Sequence, residues 1–125
     1  MKWFTRDWAN GGLSDLQVEF VQHEYADHAA RLRRTAPGLA VLLDLDVHDG
    51  QVQEWNATEG MLQWRLLVGD LQCGYEYATV EYDGAQVVGG VDALRELRLD
   101  ADDLEVLYDE LDIDKDGGLL HRLLF

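Results

Sequence analysis

The chain has 125 residues and a formal net charge of −15, from 25 acidic and 10 basic side chains. This length is typical of one small domain, and 47% hydrophobic residues with four tryptophans suffice for a core without a metal or disulfide. We therefore predict a single domain over residues 1–125. So strong a negative field repels phosphates and anionic lipid headgroups, which argues against binding to nucleic acid or a membrane surface.

The cysteine content and the first residues bear on the compartment. Cys73 is the only cysteine, which excludes an intrachain disulfide and favours a reducing environment. Residues 1–7 contain no apolar signal-peptide core, and no apolar run approaches the ~20 residues of a membrane helix. We expect a cytoplasmic protein.

A long amphipathic helix is predicted in the first third of the chain. Ser14 and Gln17 match a capping box, which predicts a helix from about Asp15 to Arg34. Apolar residues recur along it at spacings of three and four, which forms one stripe. The stripe consists of Val18, Val21, Tyr25, Ala29 and Leu32. Leu16 and Phe20 lie on the polar side, where they mark either a contact patch or a face covered by a second layer of the fold.

Beyond this helix the pattern changes to β-structure. Leu39–Leu43 fits either a helical turn or the start of a strand, and the sequence from about Leu45 onward is typical of strands. Met61–Val68 alternates between apolar and polar residues. Its apolar face consists of Leu62, Trp64, Leu66 and Val68. Cys73–Tyr82 is rich in Tyr, Thr and Val, and its apolar residues change face near Ala78, which predicts a bulge or a strand covered on both sides.

The last third of the chain predicts a short helix and a hairpin. The short helix is expected at Val91–Arg98, and the hairpin joins Val106–Ile113 to Leu119–Phe125. The predicted fold class is therefore α+β, with one long N-terminal amphipathic helix packed on an antiparallel β-sheet and a C-terminal β-hairpin.

The register of this hairpin depends on its loop. A four-residue loop, Asp114–Gly117, places Asp109 opposite Arg122 and Glu110 opposite His121. In that register His121 and Glu110 form the one candidate acid–base pair of the sequence.

Four short patches carry a resemblance to known proteins. They are Trp3-Phe4-Thr5, Tyr25-x-x-His28, Val47–Val52 and His121–Phe125. Together they resemble a group of small bacterial proteins, a domain of unknown function for which no activity is known. The resemblance implies a style of fold and implies nothing about chemistry.

A cation-binding pattern is the sharpest local motif. Residues Asp112–Gly117 match D-x-D-x-D-G, the first six positions of an EF-hand calcium loop, in which alternate aspartates converge on one point. Leu123 stands at position twelve, where the bidentate Glu belongs, and Leu120 stands at position nine. The candidate metal ligands are Asp112, Asp114 and Asp116. We expect any calcium binding here to be weak, and the alternative is an ordinary acidic turn.

Catalytic motifs are absent from the sequence. It contains no G-x-S-x-G elbow, no P-loop and no G-x-G-x-x-G, and Cys73 lies near acidic residues, whereas reactive cysteines lie in electropositive surroundings. His23 and His28 are five residues apart, so they do not share a helix face as zinc-binding histidines do. Asp27 holds the i+4 position, which favours an ion pair with His23. No catalytic or cofactor-binding residue is assigned.

These observations favour one function and keep two alternatives. A small acidic domain without cofactor motifs fits a non-catalytic protein-interaction module whose partner is a basic protein, for example an immunity-type binder of a basic toxin. The first alternative is a weak divalent-cation-binding protein that uses the Asp112–Asp116 turn. The second is an unrecognised hydrolase.

Overall fold

The computed structural model describes residues 1–58, 60–86 and 104–125. The chain groups into two compact units, the first Met1–Asp46 with Leu107–Phe125 and the second Val47–Val106. Helices and antiparallel strands are both present, which confirms the α+β class. The single domain stays a prediction, and the helix predicted at Val91–Arg98 lies outside the described residues.

The first unit contains the described helices and a two-stranded sheet. Its helices are α1 (Arg6–Ala9), α2 (Asp15–Thr35), a 3-10 turn (Pro37–Leu39) and α3 (Ala40–Asp44).

The strands of both units, in chain order, are β1 (Gly50–Thr58), β2 (Met61–Asp70), β3 (Gly74–Asp83), β4 (Glu105–Val106), β5 (Tyr108–Ile113) and β6 (Leu119–Leu124). None of the described helices has the length and apolar character needed to cross a bilayer.

Helix α2 begins where the sequence predicts and ends one residue later. The Gln17 side chain accepts the Ser14 backbone N–H at 2.9 Å, so the predicted capping contact forms. Of the apolar stripe, Ala29 and Leu32 are buried, whereas Val21 and Tyr25 are only half-buried. The ambiguous segment after Pro37 is helical rather than extended.

Strands β5 and β6 form the predicted C-terminal hairpin, but the predicted register is wrong by one residue. The Asp114 N–H donates to the Gly118 carbonyl at 2.8 Å, so these two residues face each other and the turn holds three residues rather than four. Glu110 therefore lies opposite Arg122, and Leu111 lies opposite His121. A one-residue change in turn length shifts every cross-strand pair.

The second unit is a four-stranded antiparallel sheet with the order β3-β2-β1-β4. The predicted face of β2 is confirmed, since Trp64, Leu66 and Val68 are buried and Leu62 is half-buried. Val106 belongs to this sheet and pairs with Gly50, so the C-terminal hairpin starts later than predicted.

The bulge expected in β3 is wrong, because the irregularity lies in β1 instead. The pairing of β1 with β2 shifts between Val52 and Glu54, whereas β3 pairs with β2 residue for residue. Tyr75 and Tyr77 are 58% and 59% exposed, so β3 is not covered on both sides. The face change near Ala78 has another cause: these tyrosines lie on the outer face, where the phenol oxygen can contact water.

Candidate functional site

A buried carboxylate is the most unusual group of the first unit. Glu110 is fully buried and accepts backbone N–H groups from three successive residues, Lys2, Trp3 at 2.9 Å and Phe4 at 3.3 Å. Arg122 adds its guanidinium at 3.2 Å. Because a buried charge is tolerated only when it is paired and hydrogen-bonded, these contacts fasten residues 2–4 to the hairpin. We call this arrangement the Glu110 clamp.

Further charged groups continue from the clamp across the hairpin. Arg122 also lies 3.5 Å from Asp112, and Asp112 lies 3.4 Å from His28 of α2. His121 lies 2.9 Å from Asp109. The expected His121–Glu110 acid–base pair is therefore wrong, as is the Asp109–Arg122 pair, because the shifted register exchanges the partners.

Helix α2 also covers part of the outer edge of β5. The Leu111 N–H donates to the Tyr25 hydroxyl at 3.1 Å, and His28 Nε2 donates to the Leu111 carbonyl at 3.1 Å. These two side chains satisfy the backbone groups that Leu111 turns away from β6. Trp3 packs between them, with ring centroids 5.2 Å from Tyr25 and 4.6 Å from His28.

The ionisation of Tyr25 provides a test of this contact. Burial raises the pKa of Tyr25 above its ordinary value of 10.0, since the phenolate is harder to form away from water. A raised pKa contributes stability that is complete below pH 10.0 and is lost as the pH rises through the folded-state value. Tyr25→Phe removes this loss, so its urea midpoint should fall less than the parent's between about pH 8 and about pH 11. Equal falls in both proteins would contradict the assignment.

The polar network around the clamp is internally satisfied. Among residues 1–58, 60–86 and 104–125, no buried side-chain nitrogen or oxygen lacks a hydrogen-bond partner. A cleft of about 240 Å³ lies next to this network, and the residues that line it include Tyr25, Leu42, Asp46 and Asp109. The network accounts for its own polar atoms through contacts within the fold, which is what a stabilising arrangement requires.

Two of the three aspartates predicted as calcium ligands, Asp112 and Asp114, have separate side-chain partners, and Asp116 is exposed. Asp112 lies against His28 and Arg122. Asp114 Oδ1 accepts the N–H groups of Asp116 at 2.8 Å and Gly118 at 2.7 Å, inside its own turn. In the part of the chain that the structure describes, no group of three or more His, Cys, Asp or Glu side chains is placed to hold a metal ion. The calcium site stays a prediction.

The turn between β2 and β3 uses the same side-chain chemistry as the Asp114 turn. Asp70 Oδ1 accepts the N–H groups of Cys73 at 2.7 Å and Gln72 at 2.6 Å, and these hydrogen bonds lower the pKa of the Asp70 carboxyl. In both turns an aspartate precedes three loop residues and binds the backbone that follows. Turn formation therefore accounts for the aspartate that begins each loop.

An apolar surface lies on the first half of α2. Leu16 is 78% exposed and Phe20 is 62% exposed. Together with Leu13, Gln17 and Val21 they line a shallow groove of about 440 Å³, which we call the α2 groove. Exposed leucine and phenylalanine side chains that adjoin one another are typical of a contact surface.

Acidic side chains border the α2 groove. Glu24 and Asp27 follow Phe20 by four and seven residues, so they lie on the same helix face one and two turns further on. Both are exposed. The predicted pairing of His23 with Asp27 is confirmed at 3.7 Å. The groove therefore combines an apolar centre with a negative border.

No family model matches the chain, and no curated protein and no solved structure matches it.

The sequence identifies the α2 groove but not the Glu110 clamp. Leu16 and Phe20 break the helical pattern, and that signal is local. Glu110 is one of 25 acidic residues, and its burial depends on backbone groups more than a hundred residues away. The correct hairpin register would have pointed to the clamp, because it places Glu110 opposite Arg122.

Proposed function

We propose that the protein is a non-catalytic interaction module that binds a basic protein, in the manner of an immunity-type inhibitor of a basic toxin. The observation that carries this proposal is the α2 groove, in which Leu16 and Phe20 are largely exposed on a helix that also bears acidic residues. A cytoplasmic location and the absence of nucleic-acid and membrane partners belong to the same proposal, as does packing of the long helix on an antiparallel sheet.

The apolar centre and the acidic border of the α2 groove favour one kind of partner. A helix with leucines on one face fills an apolar groove, and basic residues at its borders meet Glu24 and Asp27. The net charge of −15 accelerates the encounter with such a partner and repels acidic competitors. We therefore expect the partner to present a basic amphipathic helix.

Substitution of Phe20 tests the proposal. The probe is a synthetic amphipathic peptide with leucines at helical spacing and lysines elsewhere, and its affinity is measured by fluorescence anisotropy. Phe20→Ala should weaken binding by about tenfold or more, because aromatic anchors at the centre of an interface carry most of its free energy. Leu71→Ala is the matched control, since Leu71 is 91% exposed in a turn of the second unit, and it should leave the affinity unchanged.

A scrambled peptide of identical composition separates groove binding from general charge attraction. The scrambled peptide retains every lysine but has no apolar face, so it should bind at least about tenfold more weakly. Equal affinity for the two peptides, or equal effects of Phe20→Ala and Leu71→Ala, would refute the proposal.

A further inference from the structure

The outer edge of β3 is a second unusual surface, and it lies in the second unit. Within residues 1–58, 60–86 and 104–125, β2 is the only strand that pairs with β3. The edge strand runs for ten residues in regular register, from Gly74 to Asp83. It contains no proline and no bulge, and the charged side chains that discourage edge pairing are all acidic here, so they discourage an acidic strand and not a basic one.

The register shows which backbone groups of β3 point away from β2. The Gly84 N–H donates to the Gly60 carbonyl at 2.6 Å, so this pair is hydrogen-bonded. In an antiparallel ladder, hydrogen-bonded and non-hydrogen-bonded pairs alternate. The backbone groups of Ala78 and Val80 therefore bond to β2, while those of Thr79 point outward, together with those of the other odd-numbered residues from 75 to 83.

The side chains along this edge have a consistent chemistry. Glu76, Glu81 and Asp83 provide three exposed carboxylates, and β3 has no basic residue. Glu81 and Asp83 share the outer face with Tyr77, where Gln63 Nε2 donates to Glu81, and Glu76 lies on the opposite face. The Arg65 guanidinium lies 4.4 Å from the centroid of the Tyr77 ring, so the outer face already contains one stacked guanidinium. A strand that lies next to β3 meets carboxylates and tyrosine rings, both of which bind guanidinium groups.

We propose that this edge takes up an extended basic segment of the partner as an additional β-strand. Main-chain hydrogen bonds to the outward groups of β3 supply the affinity, and arginine side chains on the incoming strand contact the carboxylates and Tyr77. A second copy of this chain is a poor occupant, because two β3 strands side by side bring six carboxylates together without a base on either strand. The inference rests on the proposed function only for the basic character of the partner.

A peptide pair tests the backbone component. The probe is a capped nonapeptide in which arginine and valine alternate, and the control carries proline in place of the valines at the same charge. We expect the control to bind at least about tenfold more weakly, since proline removes the N–H groups needed for strand pairing. Equal affinity of the two peptides would overturn the proposal, because it would leave only charge attraction.

A pair of substitutions in β3 tests whether the peptide binds at this edge. Thr79→Pro removes an outward N–H without removing a bond to β2, and should lower the affinity for the arginine–valine peptide by about tenfold or more. Thr79→Val keeps the N–H and the β-branched shape, and should bind as the parent does. Equal binding by these two variants would overturn the assignment, and so would self-association of the parent that Thr79→Pro abolishes, because the occupant would then be a second copy.

Hydrogen exchange of the unaltered protein gives a readout that does not depend on a variant folding. Binding of the arginine–valine peptide should slow exchange at the amides of Tyr77, Thr79 and Glu81, while Ala78 and Val80 are already protected by β2. No slowing at the three amides would overturn the proposal. Phe20→Ala should leave the affinity for the arginine–valine peptide unchanged. If the unaltered protein fails to bind the helical peptide but binds the arginine–valine peptide, the α2 groove is refuted and the β3 edge stands, and the reverse result does the opposite.

Discussion

Replacement of Glu110 by leucine is expected to lower the free energy of unfolding by about 3–5 kcal/mol. The substitution removes the acceptor for the N–H groups of Trp3 and Phe4 and leaves the Arg122 guanidinium without its buried partner. Buried donors that lose their acceptor bear the full cost of desolvation, which a leucine side chain of similar size cannot offset. Urea denaturation followed by tryptophan fluorescence measures the change.

An exposed glutamate supplies the control for this experiment. Glu24 lies on the open face of α2, so Glu24→Leu should change the stability by no more than about 0.5 kcal/mol. If Glu110→Leu and Glu24→Leu have the same urea midpoint, the Glu110 clamp does not hold the first unit together.

Removal of Leu123, Leu124 and Phe125 is the second change with a large expected effect. Leu124 is buried, and its carbonyl accepts the Leu107 N–H at 2.8 Å, while the Phe125 carbonyl accepts a hydrogen bond from Arg6 at 3.2 Å. The truncation deletes the end of β6 together with the buried Leu124 side chain. We therefore expect the free energy of unfolding to fall by about 3 kcal/mol or more. Thermal and urea unfolding of the truncated chain measure it.

Leu119→Ala is the matched control at the other end of β6. Leu119 is 36% exposed and lies next to the turn, so the substitution should cost about 1 kcal/mol or less. An unchanged midpoint in the truncated chain, or rapid hydrogen exchange throughout β6 in the full chain, would contradict the role of this strand.

The elements that the sequence predicts well are those whose signals are local. Helix α2 starts with a Ser14–Gln17 cap and carries a periodic apolar stripe, and its observed bounds differ from the prediction by one residue. The apolar face of β2 follows from simple alternation, and the C-terminal hairpin follows from its turn residues. Each of these signals lies within a few residues of the structure that it predicts.

The features that sequence reasoning missed depend on distant partners or on the geometry of one turn. The hairpin register depends on whether Gly118 belongs to the loop, and that choice exchanges the partners of Asp109 and Glu110. The burial of Glu110 depends on hydrogen bonds from the N–H groups of residues 2–4, and no local sequence pattern predicts these contacts. Tyr25 looks like an ordinary stripe residue and His28 flanks the stripe, although both bind the backbone of β5.

The Glu110 clamp has a consequence for the order of events on the ribosome. It joins Phe4 to a residue 106 positions later, and the whole second unit, Val47–Val106, is translated in between. Closing a loop of that length costs about 3 kcal/mol more than closing the three-residue turn between β2 and β3. We therefore expect the β2–β3 hairpin to fold during synthesis, while Trp3 and Phe4 stay without their acceptor until Glu110 emerges. The nascent chain thus presents two aromatic residues to chaperones while residues 5–110 are translated.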